Sequence, residues 1–564
     1  MKRLIAILPA LALAALLVPL TRASAYNPPA ETLRIGLYYG GSALTSANLQ
    51  NTAGQGAGFE FGYYDGDRAF IALGASTGET RITMMQDKNM VYNASDNIYA
   101  PGTSGAVVVG CFHVQLAGHG TYAEASAAAS GYSDAFVKYD NGAFYVCVGQ
   151  YLSRSDAESA RGGYPDAVVT EGTKYTITVV ATGTRRILFE FDGANSRNLA
   201  VRPMADASGA PPLTWFKNEQ YRGDFQYSRP SGEKLTVINF VLVEDYIKGI
   251  LPSEMSASWP LEALKAQALA ARTYAMSKLG AHGSSGFDLC TTEHCQVYMG
   301  AKRATANSDQ AVDETAGLYI TYDDKLCETY YSSSDGGATE NIENVWTASL
   351  QYLRGVLDPY EADAPIPSYR WTVSYTPGEL TSRLKARGYS IGTVASVVVS
   401  RFTDVGNVYS VTIKDTSGKS ITISKGDSLR LNLGLPSIRF TVGGNTAAAP
   451  GGNLYVHENA AAVDSGGALY ALGAGDAPQQ LPSAYYALNG DGEAELVTPE
   501  APAAPSPGTQ GSATGLVNGK FTFTGSGRGH NVGMSQWGAY AMAKYQEMTY
   551  DEIIHFYYTD VMIG

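Results

Sequence analysis

The stretch that most constrains the fold is residues 243–280, VEDYIKGILPSEMSASWPLEALKAQALAARTYAMSKLG. Within it, Pro260 suits the first turn of a helix, Ser258 can cap that helix, and Glu262 complements its dipole. Apolar residues then recur at helical spacing, at Leu261, Leu264, Ala268, Ala275 and Leu279. The pattern predicts a long helix near residues 260–279 that packs its apolar face into a core.

Two cations and one acid interrupt this apolar pattern. Lys265 and Arg272 are seven residues apart, so they share a helical face and lie within the apolar stripe. Charges in such a place must be paired or functional. Glu254, in the loop before the helix, is the nearest partner in sequence. The residues alone leave two interpretations open, a buried ion-pair network and a functional site.

Length and composition bound the remaining possibilities. A chain of 564 residues is too long for one core, so several domains are expected. Charged residues make up only 16%, whereas 62 glycines and 38 tyrosines favour a β-rich, turn-rich structure. The formal net charge of −13 argues against nucleic-acid binding, which needs a basic surface.

The first residues, MKRLIAILPALALAALLVPLTRASAY, have the pattern of a secretory signal. Lys2 and Arg3 precede an apolar run from Leu4 to Leu20, and the small residues 23–25 form a cleavage site. Residues 1–25 are therefore interpreted as a signal peptide, and the protein is expected outside the cytoplasm, secreted or associated with the cell wall. If the signal is not cleaved, it anchors the chain at the membrane.

Patterning after the signal predicts a multidomain α+β fold with a second long helix near 377–388. Five parts are expected: a β-rich N-terminal region (26–136), a small αβ module (137–202), the first part of a mixed α+β domain (203–442), an insertion with a flexible linker (443–515) and the last part of that domain (516–564). The insertion is rich in Ala, Gly, Pro and Ser, and its end lacks the large apolar groups that a core needs.

Within the small module, GAFYVCVGQYLSRSDAESARGGYPDAVVTEGTKYTITVV predicts a strand, a helix capped by Ser153 or Ser155, and further strands. The part FYVCVGQYLSRSDAESA resembles a SPOR domain. That resemblance implies a module that binds peptidoglycan glycan strands stripped of their peptides. An unrelated αβ module is the alternative.

Four stretches resemble, in order, the stage II sporulation protein D or amidase-enhancer family. They are ILPSEMSASWPLEALKAQALAARTYA, FDLCTTEHCQVY, YYSSSDGGATENIENVW and GRGHNVGMSQWGAYAMA. The resemblance implies a peptidoglycan lytic transglycosylase, which cleaves the β-1,4 bond between N-acetylmuramic acid and N-acetylglucosamine and leaves a 1,6-anhydro sugar. The essential glutamate of the family falls on Glu254, and either sporulation or ordinary wall remodelling would fit.

One acid suffices for that chemistry. A hydrolysing glycosidase normally uses two carboxylates, but a lytic transglycosylase uses the 6-hydroxyl of the sugar as nucleophile, so one glutamate can give a proton and then take one. If the reaction were hydrolysis, Asp335 and Glu340 would be the first candidates for the second carboxylate. The alternative from another class is a non-catalytic amidase enhancer, which binds glycan or an amidase without cutting.

A substrate-binding set follows from the same stretches. In the family, the turn that corresponds to the residues around 530 lines a groove. Near residue 335, side-chain hydroxyls and a Gly-Gly turn can approach the hydroxyls of a sugar. Tyr331, Asp335 and Asn531 depart from the usual family patterns, HSxSGG and GHGVGMSQ. The predicted substrate-binding residues are Lys265, Arg272, Tyr298, Ser333, Ser334, Gly336, Gly337, Glu340, His530 and Gln536.

HGSSGFDLCTTEHCQVY brings four candidate metal ligands within fourteen residues. Thiolate and imidazole are the ligands that zinc prefers. Some members of the family hold zinc in this region, so a structural zinc is expected, with Cys290 and Cys295 as the surest ligands and His282 and His294 as further candidates. A Cys290–Cys295 disulfide is the alternative.

The partners expected are peptidoglycan glycan strands and a cell-wall amidase that acts first and supplies peptide-free strands. No nucleic acid is expected. The sequence leaves the oligomeric state open.

Overall fold

The structure is a computed structural model that describes residues 26, 28–230, 232–443 and 515–564, together with four short strands between 470 and 497. The predicted signal peptide lies outside the described residues, and so does the predicted linker apart from those strands. Among the described residues, no helix has both the length and the continuous hydrophobicity needed to cross a bilayer.

The N-terminal half is built on two large sheets that share one hydrophobic core. One sheet has seven strands in the order β20-β1-β19-β18-β15-β3-β4, and the other has ten in the order β12-β9-β11-β10-β14-β13-β5-β2-β16-β17. The elements are β1 (Thr32–Tyr38), β2 (Ser46–Asn51), β3 (Phe59–Tyr64), β4 (Phe70–Thr77), β5 (Arg81–Gln86), β6 (Met90–Asn93), β7 (Ile98–Pro101), β8 (Val108–Val109), β9 (Phe112–His119), α1 (Tyr122–Ala129), β10 (Ala135–Asp140), β11 (Ala143–Tyr151), α2 (Arg154–Arg161), β12 (Val168–Glu171), β13 (Ile177–Ala181), β14 (Ile187–Asp192), β15 (Leu199–Pro203), β16 (Thr214–Phe216), β17 (Glu219–Tyr221), β18 (Asp224–Ser228) and β19 (Thr236–Leu242).

A βαββαβ unit runs from β9 to β12 inside the ten-stranded sheet. Its four strands lie in the order β12-β9-β11-β10, and Thr121 and Ser153 cap its two helices. The unit spans Phe112–Glu171, so it begins before the predicted module boundary at residue 137 and ends before 202. The predicted boundary at 202/203 falls at the end of β15, whose neighbours in the sheet come from both sides of that boundary.

The larger mixed domain continues from β19 without a linker. Its elements are α3 (Val243–Glu254), α4 (Leu261–Ser277), β20 (Leu289–Cys290), α5 (Ala306–Asp313), β21 (Ile320–Tyr322), β22 (Lys325–Leu326), β23 (Tyr331–Ser332), α6 (Ile342–Val345), β24 (Arg370–Tyr375), α7 (Pro377–Ala386), β25 (Val394–Phe402), β26 (Val408–Asp415), β27 (Ser420–Ser424), α8 (Gly426–Leu433), β28 (Phe440–Val442), β29 (Tyr470–Ala471), β30 (Gln479–Gln480), β31 (Tyr485–Leu488), β32 (Ala494–Val497), β33 (Leu516–Val517), β34 (Lys520–Ser526), β35 (Met534–Ser535), α9 (Gln536–Tyr545), α10 (Tyr550–Tyr557) and β36 (Met562–Ile563).

Helix α4 is the centre of this domain. It is buried on nearly every side from Ala263 to Met276, and it contacts α3, α5, α9 and α10. Its many alanines permit this close packing because they keep the neighbouring backbones near one another. Pro260 ends the preceding loop and Leu261 begins the helix, whereas the predicted cap, Ser258, bonds to Ser256 instead.

A second core lies in a smaller lobe formed by β24–β28, β34, α7 and α8. The insertion starts after β28 and returns at β33, and β28 and β33 both pair with β34. The ends of the insertion therefore meet, because Gly443 packs against Gly515. The predictions of a multidomain α+β fold and of long helices near 260–279 and 377–388 are confirmed.

Candidate active site

Glu254 is the last residue of α3 and lies in a cleft of about 500 Å³. Pro252 lies in the last turn of this helix, where it removes one backbone donor, and the chain turns into an extended conformation at Met255. The cleft is lined by residues from six segments of the chain. They are Ser253, Glu254, Tyr274, Glu293, His294, Cys295, Gln296, Val297, Tyr330, Tyr331, Trp346 and His530.

Burial governs the electrostatics of Glu254. Loss of hydration raises the pKa of its carboxyl group above the usual value, and the negative charge of Glu293 acts in the same direction. Hydrogen bonds from the Gln536 side chain, the Val297 backbone and the Tyr331 side chain oppose this shift. A carboxyl group in this setting holds its proton to a higher pH than an exposed glutamate, as a general acid requires.

Gln536 reaches Glu254 from the other end of the domain. Strands β23 and β35 pair in parallel, with Tyr331 opposite Met534 and Ser332 opposite Ser535. Ser535 caps α9, and Gln536 is the first residue of that helix. The Gln536 Nε2 lies 3.5 Å from Glu254 Oε2 and 3.4 Å from Gln267 Oε1. The structure therefore brings Glu254 together with Gln536, one of the predicted substrate-binding residues.

His530 forms the aromatic end of the cleft. Its ring lies 4.9 Å from the ring of Trp346 and 6.4 Å from that of Tyr330, measured between centroids. Burial lowers the pKa of His530 to about 4, because the charged imidazolium would lose its hydration. The Val532 amide donates to its Nδ1. His530 is thus a neutral ring at physiological pH.

The two cations of α4 are not in the cleft. Arg272 is fully buried, and it binds both oxygens of Glu244 on α3 and the carbonyls of Val312 and Leu318. Lys265 pairs with Glu262 and Glu314 at N–O distances of 2.7 and 2.6 Å. Their predicted role in substrate binding is corrected to helix-to-helix ion pairing. Neither cation is among the groups that shift the pKa of Glu254.

Several other predicted binding residues are structural. Tyr298 is buried and donates to Asn239. Glu340 is buried as well, and it accepts hydrogen bonds from Thr403, Asn407 and Asn344. Neither lines the cleft, so Glu340 is not placed to act as a second carboxylate.

Residues 333–337, here called the Ser/Gly loop, lie behind the cleft wall. The Ser333 carbonyl accepts a hydrogen bond from the Trp537 amide, while Ser334 is buried. Gly336 and Gly337 both have positive φ, 76° and 111°. A side chain at Gly336 would strike the Ser526 carbonyl of β34, so this turn approaches protein backbone rather than a ligand.

Behind that loop, Asp335, Asp358 and Glu361 form a carboxyl cluster. All three are buried, and one oxygen of each lies within 4.8 Å of the others. Glu361 accepts hydrogen bonds from the Ser334 and Ser535 hydroxyls and from the Asp335 and Gly336 amides. Burial and the charge of Glu361 hold the pKa of Asp335 well above its usual range. Asp335 is therefore excluded as a second cleft carboxylate.

The four candidate metal ligands come together beside the cleft. Their ligand atoms all lie within 4.8 Å of one another. Cys295 Sγ is 3.4 Å from His282 Nε2 and 3.5 Å from His294 Nδ1, and Cys290 Sγ is 3.8 Å from His294 Nδ1. A tetrahedral zinc with bonds of about 2.0–2.3 Å places its ligand atoms roughly 3.3–3.8 Å apart, so the residues fit this metal.

The thiols of this group differ in acidity. Burial disfavours a thiolate at Cys290, but hydrogen bonds from Thr292, Cys295 and His294 outweigh it and lower the pKa of Cys290 to about 6. Burial and the neighbouring Cys290 raise the pKa of Cys295 to about 11. Both cysteines are free thiols in the structure. Cys290 therefore loses its proton more readily than an ordinary cysteine, and the resulting thiolate is the form that metals bind.

Sequence reasoning missed several cleft residues. Glu293 is exposed and lies between the two cysteines, and it brings a second acid to the cleft. Tyr274, Tyr330 and Trp346 supply aromatic surface from three different segments. The signal for Glu293 was present in the motif FDLCTTEHCQVY, but the cysteines and histidine drew the interpretation to metal binding alone.

The chain is similar to known proteins over the region that forms this cleft. The profile of the family described as "Stage II sporulation protein" matches residues 231–322, which include Glu254, α4 and the four metal-ligand candidates. An uncharacterized protein of Brachyspira hyodysenteriae is 30% identical over 345 residues, which are 61% of this chain and 72% of that protein.

Two relatives come from Bacillus subtilis. The amidase enhancer is 28% identical over 324 residues, 55% of this chain and 39% of that protein. Stage II sporulation protein D is 27% identical over 337 residues, 57% of this chain and 74% of that protein. On the basis of the matched lengths and the shared motif region, the chain belongs to the stage II sporulation protein D family, together with the amidase enhancer.

Proposed function

We propose that this protein is an exported peptidoglycan lytic transglycosylase that cuts the β-1,4 bond between N-acetylmuramic acid and N-acetylglucosamine. The observation that carries the proposal is Glu254, a buried carboxyl group with a raised pKa at the end of an open, aromatic-lined cleft. Membership of a family named for sporulation and amidase enhancement supports a role in cell-wall processing.

In the first step, protonated Glu254 donates its proton to the oxygen that leaves C1 of the muramyl residue. In the second step, the Glu254 carboxylate takes a proton from the 6-hydroxyl of the same residue, whose oxygen attacks C1. The C1–O4 bond breaks, the C1–O6 bond forms, and no water is consumed. Glu254 ends in the protonation state in which it began, so one acid completes the reaction.

Other cleft residues hold this acid and the sugar. Gln536 and the Val297 amide direct donors at Glu254, which fixes the orientation of its carboxylate when it acts as a base. Trp346, Tyr330 and the neutral His530 present flat apolar surfaces on which sugar rings can stack. Glu293 is the other carboxylate of the cleft; under this proposal it influences the pKa of Glu254 without attacking C1.

Product analysis tests this mechanism. Sacculi stripped of stem peptides by an amidase are digested with the wild type, Glu254→Gln and Glu293→Gln, and the fragments are identified by mass spectrometry. We expect 1,6-anhydro ends from the wild type and from Glu293→Gln, and none from Glu254→Gln. Ordinary reducing ends that disappear in Glu293→Gln would show a two-carboxylate hydrolase. Intact glycan combined with a faster amidase reaction would show a non-catalytic enhancer.

We also propose that His282, Cys290, His294 and Cys295 hold a structural zinc ion. Their spacing and the acidity of Cys290 support this assignment. Zinc would tie the 290–297 segment together, and this segment carries Val297 and one wall of the cleft.

Elemental analysis of the purified chain tests the metal. We expect one zinc per chain, its loss in Cys290→Ser, and a lower thermal unfolding temperature in that variant. A wild-type chain without metal that is 2 Da lighter than the fully reduced mass, and whose peptide map links Cys290 to Cys295, would instead show a disulfide between these two residues.

We propose in addition that the N-terminal segment directs the protein out of the cytoplasm and that a cell-wall amidase acts before it. The βαββαβ unit, with its resemblance to a SPOR domain, supports contact with peptide-free glycan. Fractionation of cells, followed by N-terminal sequencing of the mature chain, tests export and signal cleavage together. Recovery of the full-length chain in the cytoplasm would contradict this proposal.

A further inference from the structure

A second groove, of about 410 Å³, lies on the ten-stranded sheet of the N-terminal half. It is formed entirely by residues before 219, so it lies outside the segment matched by the family profile. Its volume is within the range of about 300–1,000 Å³ that small-ligand sites occupy.

The floor of this groove is a row of three side chains on adjacent strands. Trp215 of β16 pairs with Gln50 of β2, and Gln50 pairs with Arg81 of β5. Residues opposite one another in neighbouring strands project from the same face of a sheet, so the three side chains lie side by side. With strands about 4.8 Å apart, the row extends over roughly 10 Å. Gln50 and Arg81 are exposed, and Trp215 is half-buried.

Two rigid turns border the row. Lys217 and Asn218 form the two-residue turn between β16 and β17, with φ of 50° and 68°. A turn of this type favours Gly or Asn, so a lysine there carries a conformational cost. On the other side, Asn97 also has a positive φ, 52°, and the hydroxyl of Tyr92 donates to its side chain. The shape of the groove is therefore largely formed before any ligand binds.

Three polar side chains of the groove are free to bind. Those of Gln50, Arg81 and Asn218 make no hydrogen bond or ion pair with any residue that the structure describes. Lys302 donates to the Asn218 carbonyl and places its ammonium 5.7 Å from the centre of the Trp215 ring. Arg81, Lys217 and Lys302 thus set three positive charges against the one carboxylate of the groove, Asp96, in a chain whose formal net charge is −13.

We propose that this groove binds an acidic oligosaccharide, namely the peptide-free glycan of peptidoglycan. An indole beside amide and guanidinium groups matches a sugar, which has an apolar face and a rim of hydroxyls. A muramyl residue without its peptide also bears a free lactyl carboxylate, which a guanidinium binds in a bidentate manner. The identity of the glycan rests on the proposed function, whereas the groove and its charge do not.

Calorimetric titration of the full chain tests the groove apart from catalysis. The background is Glu254→Gln, so that ligand is not cut, and the probes are a peptide-free (N-acetylglucosamine–N-acetylmuramic acid)₄ oligosaccharide and a neutral chitin oligosaccharide of equal length. Trp215→Ala and Arg81→Gln are compared with Arg387→Gln, an exposed arginine of the small lobe.

In the Glu254→Gln background we expect the acidic probe to bind at the cleft, at the groove and at the βαββαβ unit. Arg81→Gln should weaken binding at the groove about tenfold for the acidic probe and leave the neutral probe unchanged, since it removes a charged hydrogen bond. Trp215→Ala should weaken the same site about tenfold for both probes. Arg387→Gln should change neither.

Unchanged affinity and stoichiometry in both groove variants would overturn the proposal, and so would an equal loss for both probes in Arg81→Gln. If binding is unchanged in both groove variants while the wild type releases anhydro ends, the groove is removed and the proposed function stays intact. If the groove variants weaken binding while the wild type releases no anhydro ends, the groove stands and the proposed function fails.

Discussion

Replacing Asp335 with asparagine should stabilise this protein, and increasingly so as the pH rises. Asp335 is fully buried, its Oδ2 has no hydrogen-bond donor among the described residues, and Glu361 lies beside it. Four donors converge on Glu361, an arrangement that matches a carboxylate and not a carboxylic acid. Asp335 must then carry the proton, and an asparagine amide can donate to Glu361 in its place.

The magnitude follows from proton linkage. The pKa of Asp335 is raised in the folded chain, so folding takes up a proton at any pH between the unfolded value, about 3.9, and the raised folded value. Stability is therefore lost as the pH rises through that window, by about 1.4 kcal/mol for each pH unit. Asparagine takes up no proton, so the advantage of Asp335→Asn should grow by about that amount per pH unit until the pH reaches the raised folded pKa.

Denaturant unfolding of both chains at pH 4.5, 5.5, 6.5 and 7.5 measures this difference directly. Asp404→Asn, a change at an exposed aspartate of the small lobe, controls for the loss of one negative charge. The reasoning fails if Asp335→Asn is destabilised by an amount that grows with pH. That opposite trend would mean that Asp335 is ionised in the folded chain and that the cluster binds a cation.

Three further predictions concern the cleft and α4. Arg272→Met should lower the free energy of unfolding by about 3–5 kcal/mol, since it leaves Glu244 without its buried partner. Lys265→Met should lower it by about 1 kcal/mol or less. Urea unfolding measures both changes, and equal effects would contradict the different burial of the two ion pairs. The rate of glycan cleavage should fall as the pH rises through the raised pKa of Glu254. Glu293→Gln should move this fall to lower pH, because it removes a negative charge that raises the pKa of Glu254. If the pH profile of kcat/KM does not move in Glu293→Gln, an electrostatic interaction between Glu293 and Glu254 is excluded. His530→Gln should reduce activity without moving the profile above pH 5, because the pKa of His530 is already about 4; a shifted profile would assign His530 a titrating role.

The sequence predicted those parts of the site that depend on local spacing. Glu254 was assigned from the family resemblance, whereas the four metal-ligand candidates were grouped because they lie within fourteen residues, and the structure brings those four side chains together. The orientation of Lys265 and Arg272 was not predictable in this way. Helical periodicity places both on one face of α4, but α4 is buried on nearly every side, and only the tertiary packing decides which helix each cation meets. Arg272 found its partner 28 residues away on α3.

The carboxyl cluster of Asp335, Asp358 and Glu361 shows even more clearly that sequence spacing does not reveal contacts made by tertiary packing. Asp335 was considered only as a second cleft carboxylate, because it lies in a motif rich in hydroxyls and glycines. Its actual neighbours, Asp358 and Glu361, lie in a segment that the family resemblance did not include, and Tyr557, which donates to Asp358, is 199 residues distant from it. No periodicity or motif spacing relates such positions. Because Asp335 is buried beside Glu361, the pKa of its carboxyl group is raised, and it shares a proton with Glu361 instead of acting in the cleft.

This cluster also explains why the hydroxyl-bearing residues Ser334 and Ser535 are not among those that line the cleft. Ser334 and Ser535 both donate to Glu361, and the second hydroxyl also caps α9. Because Gln536 follows Ser535 directly, its reach to Glu254 is set by an acid that lies outside the cleft. The Ser/Gly loop and the C-terminal turn are therefore joined through Glu361 before either contributes to the cleft. The Ser535 hydroxyl fixes the start of α9 and with it Gln536, whose side chain reaches Glu254.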